Sequence, residues 1–150
     1  MNHTGKIYTS AMDAVADIPD GAVIMLGGFG TPGSAQNLVK ALMDHRAMEL
    51  TCITNTCLNV REDEYDVSNL LDNGQVSKVI TTFIGDPNQN VPAVAMWEAG
   101  KLEIELITQG VFTERIRAAG VGIGGFFIPD TIAALSGSGE DTRLFSGNRC

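Results

Sequence analysis

Short apolar runs alternate with helical patterns along most of this chain. Ser10 stands before Ala11–Asp17 with Asp13 in the first turn, which predicts a short capped helix. Pro19-Asp20-Gly21 breaks the chain. Ala22–Leu26 is apolar without alternation, the pattern of a strand buried on both faces. A glycine-rich segment, Gly27–Gly33, follows at once. Leu38, Ala41 and Leu42 then recur at i, i+3 and i+4, predicting a helix over Ser34–His45. The alternation continues. Leu50–Thr54 reads as a second buried strand, and Leu70 and Leu71 lie in a short helix ending near Asn73-Gly74. Lys78–Ile84 is a β-branched strand, and Val91–Glu98 a helix stopped at Ala99-Gly100. Leu102–Ile107 is a strand with one less buried face. Phe112–Ala119 is a helix presenting Phe112, Ile116 and Ala119 together; Gly120–Gly125 breaks it, and Phe126–Ile128 is a last short strand. Ser136–Cys150 reads as a solvated tail or the start of something cut short.

Strands alternating with helices predict an α/β fold, an open and mainly parallel sheet with crossover helices. The 150 residues are read as a single domain, 1–150. Composition agrees: 44% hydrophobic and 19% charged residues are globular proportions. A net charge of -8, with no run of Lys or Arg, disfavours nucleic acid and anionic membrane surfaces as partners. The first ten residues carry no apolar core of a signal peptide, and the longest apolar run is too short to cross a bilayer. The odd cysteine count, Cys52, Cys57 and Cys150, reads as reduced thiols in a cytoplasmic protein. Two scattered histidines, His3 and His45, offer no metal site.

The candidate chemistry centres on the glycines. Gly28-Phe29-Gly30-Thr31-Pro32-Gly33 matches G-x-G-x-x-G between a predicted strand and a helix. Glycines there let backbone approach a ligand, and the following helix start offers unpaired N–H donors. A purely structural turn is the other reading. Nicotinamide binding fits poorly, because the second strand ends in Thr54-Asn55-Thr56 with no carboxylate. Asn55 is placed either to meet a ligand or to make an Asx turn. Gln109 before Gly110 either donates an amide N–H to a carbonyl oxygen or begins a helix. The acidic run Glu62, Asp63, Glu64 and Asp66 beside Tyr65 reads as a solvated loop. Glu114, Arg115 and Arg117 read as an exposed helix face. No G-x-S-x-G, Walker lysine or nucleophile–base pair is visible.

Ordered blocks carry a resemblance. Asp20-Gly21, three apolar residues, Gly27-Gly28-Phe29 and Gly33 resemble the signature of the family I coenzyme A transferases, in the alpha subunit of the 3-oxoacid or acetate type. Leu50-Thr51-Cys52-Ile53-Thr54-Asn55 is similar to that family's L-T-x-I-S-N. Asn73-Gly74-Gln75-Val76-Ser77-Lys78-Val79-Ile80 is similar to N-G-Q-V-K-K-V-I. Gly100–Leu106 followed by Gln109-Gly110 resembles G-E-L-E-V-E-L-x-P-Q-G, and Glu114–Ile123 resembles E-R-I-R-A-G-G-A-G-I.

The resemblance implies a transferase moving CoA between an acyl-CoA and a 3-oxo or short-chain carboxylic acid, with both as substrates and no cofactor. A glutamate takes the acyl group, then holds CoA as a thioester until a second carboxylate accepts it. In two-subunit members that glutamate belongs to the beta subunit, in a motif like S-E-N-G, which this sequence lacks; Ser138-Gly139-Glu140-Asp141 is not one. A hetero-oligomer with a beta partner is therefore expected. Gly28, Phe29, Gly30, Thr31, Pro32, Gly33 and Ser34 would bind CoA. Gln109 and Asn55 would hold a developing oxyanion. Ala35 replaces the signature proline, Thr56 stands where many members carry a second asparagine, Thr108 replaces the proline before Gln109, and Asp130-Thr131-Ile132-Ala133 replaces a T-P-T-G stretch. The family subunit continues past Arg143–Arg149, so later sheet strands are expected to be missing at the C-terminus. A non-catalytic ligand-binding or regulatory module of the same fold is the competing expectation.

Overall fold

The computed structural model describes residues 7–58, 61–86, 89–128, 143–145 and 148–149. Expectations for Met1–Lys6 with His3, for 129–142 and for Cys150 lie outside the described residues. The chain divides into two compact units, Met1–Glu105 and Leu106–Cys150.

In the first unit the elements run α1 (Ala11–Val15), β1 (Val23–Leu26), α2 (Gln36–His45), β2 (Leu50–Thr54), α3 (Val67–Asp72), β3 (Val76–Thr81), α4 (Pro92–Glu98) and β4 (Glu103–Leu106). The sheet order is β1-β2-β3-β4. β1 and β2 pair in parallel, as do β2 and β3. Each parallel step needs a crossover, and right-handed crossovers marching in one direction leave their helices on one face. Neighbouring helices accordingly touch: α1 with α2, α2 with α3, and α3 with α4. The core fills the space between. Val39, Ala41 and Leu42 of α2 and Leu70 and Leu71 of α3 pack with Leu50 and Cys52 of β2 and Val76 and Val79 of β3.

A one-residue irregularity makes that packing possible. Leu50 faces Val76 but Thr51 faces Lys78, so Ser77 has no opposite number. Alternation alone would send Val76 and Val79 to opposite faces. The bulge at Ser77 returns both to the helix side and turns Lys78 to the other. There Lys78 Nζ lies 2.6 Å from Glu103 and 3.6 Å from Glu105. Buried Gln75 closes the opposite end of β3. Its Nε2 donates to Leu42 O at 3.0 Å and Ala47 O at 2.9 Å, satisfying carbonyls at the end of α2.

Several sequence expectations need correction. β1 is not buried on both faces: Val23 is 66% and Met25 56% exposed, because the helices cover only the Ile24 and Leu26 side. α2 starts at Gln36, not Ser34, and its buried face is built on Val39 and not Leu38. The third strand runs two residues earlier than its β-branched run suggested, and α1 ends two residues early. Leu50–Thr54 forms as expected.

In the second unit α5 spans Gln109–Gly120. The Thr108 hydroxyl caps it, accepting from Val111 N at 3.5 Å. Its end is a Schellman turn. Gly122 has φ +74, and Ile123 N donates to Ala118 O at 2.8 Å. The buried residues are Val111, Phe112 and Ala118; Ile116 and Ala119 are exposed, contrary to the face expected from periodicity. Phe126–Ile128 is not a strand. Within the stretch read as a solvated tail, β5 (Leu144–Phe145) and β6 (Asn148–Arg149) pair antiparallel. Among the described residues, no helix is long and apolar enough to cross a membrane.

The core generates two stability predictions. Gln75→Leu removes the donor to the Ala47 carbonyl and the second donor to the Leu42 carbonyl, which keeps Arg46 N, and is expected to cost about 1–3 kcal/mol in urea unfolding. Burial pushes the Cys52 and Cys57 thiols from 9.0 up to about 12; the neighbouring Cys57 adds to it at Cys52, while at Cys57 the Thr81 side chain opposes it and the Asp66 carboxylate adds to it. Below pH 9 both states keep these protons. Between the two values only the unfolded chain releases them, so stability falls as pH rises, by about 1.4 kcal/mol per pH unit for each thiol. Denaturant midpoints from pH 8 to 10.5 should show this slope, and Cys52→Ala with Cys57→Ala should flatten it.

Candidate functional site

Parallel strands that share one direction bring their carboxyl ends to one edge of the sheet, and the loops leaving that edge can meet. Here the chain leaves β1 at Leu26 and runs through Gly27–Ser34 into α2. The segment is a compact turn held by its own backbone. Phe29 N donates to Pro32 O and Ser34 N to Thr31 O, both at 3.0 Å. Gly28, Gly30 and Gly33 all have positive φ, at +113°, +62° and +81°. Their crowding differs. A Cβ on Gly28 would lie 2.9 Å from Ser34 N and 3.0 Å from Gly30 O, which are backbone atoms. On Gly30 it would lie 2.7 Å from the tip of the Leu58 side chain, and on Gly33 it would meet nothing closer than 3.5 Å.

The next strand anchors the turn. Gly30 N donates to the Thr56 hydroxyl at 2.7 Å, and both residues are buried. Thr56 itself bridges in parallel to Phe83, beyond the end of β3. Gly30, Thr56 and Phe83 thus follow one another across the carboxyl ends of three strands. Phe29 projects at the tip, 71% exposed, and Phe83 is half exposed. Asn55, half-buried between β2 and Thr56, uses its carbonyl to accept from the Thr81 and Thr82 hydroxyls, at 3.0 and 2.9 Å. Its sequence-predicted place at the end of a parallel strand is where the structure puts it. Gln109 is the exposed first residue of α5, in the second unit, where its carbonyl accepts from the Thr113 hydroxyl at 2.9 Å.

An acidic loop also reaches the turn, which the solvated-loop expectation missed. Glu62 and Asp63 are exposed as expected, but Glu64, Tyr65 and Asp66 are engaged. The Thr31 side chain is the largest cause holding the Glu64 carboxyl below its ordinary value; desolvation opposes it next, and the Arg61 guanidinium at 3.3 Å lowers it further. Ser34 Oγ donates to Tyr65 O at 2.8 Å. Asp66 caps α3 in a reciprocal box with Asn69. The D-x-x-N spacing of that box was the available signal: it places a helix start at Asp66 and so pins one end of the acidic run.

The chemistry this arrangement offers is binding, not attack. The Thr31 and Ser34 hydroxyls are committed as donors, the Thr56 hydroxyl as an acceptor, and Cys52 and Cys57 are buried and protonated. The described histidine, His45, lies elsewhere, with Nε2 2.9 Å from Ile18 O. Two N–H groups of the turn are consumed within it and that of Gly30 by Thr56, so its capacity for an anion is smaller than the sequence pattern implied. Beside it, an open depression of about 510 Å³ is lined by Ser34, Ala35, Gln36, Asn37 and Leu38. Ala35, where the signature proline is replaced, gives α2 no side-chain cap. Among the described residues no group of three His, Cys, Asp or Glu could hold a metal.

Comparison with known proteins places this geometry. The profile described as Coenzyme A transferase matches residues 8–148. The chain is 41% identical over 144 residues to a 3-oxoadipate CoA-transferase subunit from Pseudomonas putida. That match covers 95% of this chain and 60% of the relative, so the chain spans about three fifths of it. Among solved structures it superposes on a variant of the decarboxylase AibA/AibB with a TM-score of 0.68 at 27% identity, covering 93% of this chain and 55% of that one. It superposes on glutaconate coenzyme A-transferase from Acidaminococcus fermentans with a TM-score of 0.65, also at 27% identity, covering 80% of this chain and 37% of that one.

The crowding at the three glycines predicts a ranking. Gly28→Ala is expected to lower the thermal midpoint most, Gly30→Ala less because the Leu58 tip can move, and Gly33→Ala least. Melting curves of the three variants check it; equal losses would show that the turn's internal geometry is not what each glycine serves.

Proposed function

Because this chain belongs to the coenzyme A transferase family, we propose that it serves as the CoA-holding part of a two-subunit transferase, exchanging CoA between an acyl-CoA and a 3-oxo or short-chain carboxylate. The observation that carries this reading is a glycine turn, held at the carboxyl ends of parallel strands, whose neighbouring hydroxyls and carboxylate are all engaged as ties. Gly28–Ser34 would hold the acyl-CoA, and the Asn55 amide would stabilise negative charge on the thioester oxygen. The partner beta subunit would supply the glutamate. Its carboxylate attacks the thioester carbon, giving a mixed anhydride and CoA thiolate. The thiolate then attacks the glutamyl carbonyl, releasing the first carboxylate and leaving a glutamyl-CoA thioester. The second carboxylate repeats these two steps in reverse. Neither redox chemistry nor a cofactor is required for the balance. Glu64 is a poor substitute nucleophile, since Thr31 and Arg61 engage its carboxylate and lower its basicity.

The likeness to the decarboxylase AibA/AibB supports a second reading, in which the same framework serves a function other than CoA exchange. A non-catalytic, CoA-ester-binding role is its simplest form. Co-expression with a candidate beta subunit, followed by a CoA-exchange assay across short-chain carboxylates, separates the two. Exchange that appears only with the partner supports the transferase. Binding of acetyl-CoA without exchange in any pairing supports the second reading. Full exchange by this chain alone would overturn the assignment of the glutamate to the partner.

A further inference from the structure

The loop Arg61–Asp66 has no part in the exchange chemistry, yet it is bonded to both the glycine turn and the start of α2. Its far end is fixed. Asp66 N donates to Asn69 Oδ1 at 2.8 Å, Ser68 N to Asp66 Oδ1 at 2.7 Å, and Leu58 N to Ser68 Oγ at 3.0 Å. From that base it grips the end of the turn and the start of α2: Tyr65 O accepts from Ser34 Oγ at 2.8 Å, and Tyr65 N donates to Gln36 Oε1 at 3.3 Å. Lys40, one turn further along α2, lies over the Tyr65 ring, 5.2 Å from its centre.

We propose that the Tyr65 backbone, bonded to Ser34 and Gln36, is a latch that fixes the glycine turn in the conformation that receives the ligand. The physical need for one is clear. A segment with three positive-φ glycines has many accessible backbone states to lose on ordering. Its own hydrogen bonds close two small rings, and Thr56 holds one further point, Gly30. The stretch from Ser34 to Gln36 is tied down by the latch. A turn ordered before binding spares the ligand the entropy of ordering it, so the latch raises affinity without touching the ligand. Tyr65 bonds through its backbone, so the latch needs no direct contact with an anionic ester while it sets the cradle. The part of this inference that concerns affinity rests on the reading of the turn as the CoA-ester site; the ordering of the turn does not.

Amide hydrogen exchange and calorimetry on the full chain test it, with acetyl-CoA as the probe. Gln36→Ala is expected to speed exchange across 28–34 while leaving β2 and β3 protected, and to weaken acetyl-CoA binding by about three- to tenfold. Gln36→Glu keeps an acceptor for Tyr65 N and should behave nearly as the wild type. Ser34→Ala should reproduce the faster exchange of Gln36→Ala, and Ser34→Thr, which keeps the hydroxyl, should not. Unchanged exchange over 28–34 in both Gln36→Ala and Ser34→Ala would overturn the latch. Faster exchange in a chain whose wild type binds no acetyl-CoA would uphold the ordering role and instead sink the CoA-site reading.

Discussion

β2 exchanges parallel hydrogen bonds with β1 along one edge and β3 along the other, and no hairpin can close a parallel pair. Each neighbour must be reached by a helix, and the fixed hand of the crossovers sends those helices to the same face. The buried residues of β2, Leu50, Cys52 and Thr54, set where that face lies. β3 conforms to it through the extra residue at Ser77, without which Val79 would point away from the helices. The same arrangement stacks the carboxyl ends of the three strands, which is why Gly30, Thr56 and Phe83 come together from distant parts of the chain.

The site is therefore an outgrowth of strand order, and its character follows from what lies near that edge. The turn carries no charge, its neighbours on one side are acidic, and the nearby cations are engaged, Arg61 by Glu64 and Lys40 over the Tyr65 ring. Hydroxyls that could have served as nucleophiles instead serve as ties. The groups described at this edge hold and order the turn.

Core stability and local order at the loop edge draw on different residues. Gln75 and the two buried thiols belong to the helix-covered face, where satisfying a carbonyl or keeping a proton decides the free energy of folding. Thr31, Ser34, Thr56 and Glu64 belong to the loop edge, where the same kinds of bond set local order and little of the core.

The elements themselves were legible in the sequence wherever a local rule fixes them. Ser10 marked a cap, Leu50–Thr54 a buried strand, and Gly120–Gly125 the end of α5, because caps, apolar runs and left-handed turns depend on residues within a few positions of one another. The glycine turn and the place of Asn55 were legible for the same reason. Other features were decided by the tertiary structure alone. Periodicity shows which residues share a face but not what covers it, so Leu38 and Ile116 were assigned to the interior and Val23 and Met25 were read as buried. The ties of Gly30 to Thr56 and Ser34 to Tyr65 span 26 and 31 residues, and no local pattern encodes them. They exist because parallel strands bring their ends to one edge, and only there does an acidic run meet the glycine turn.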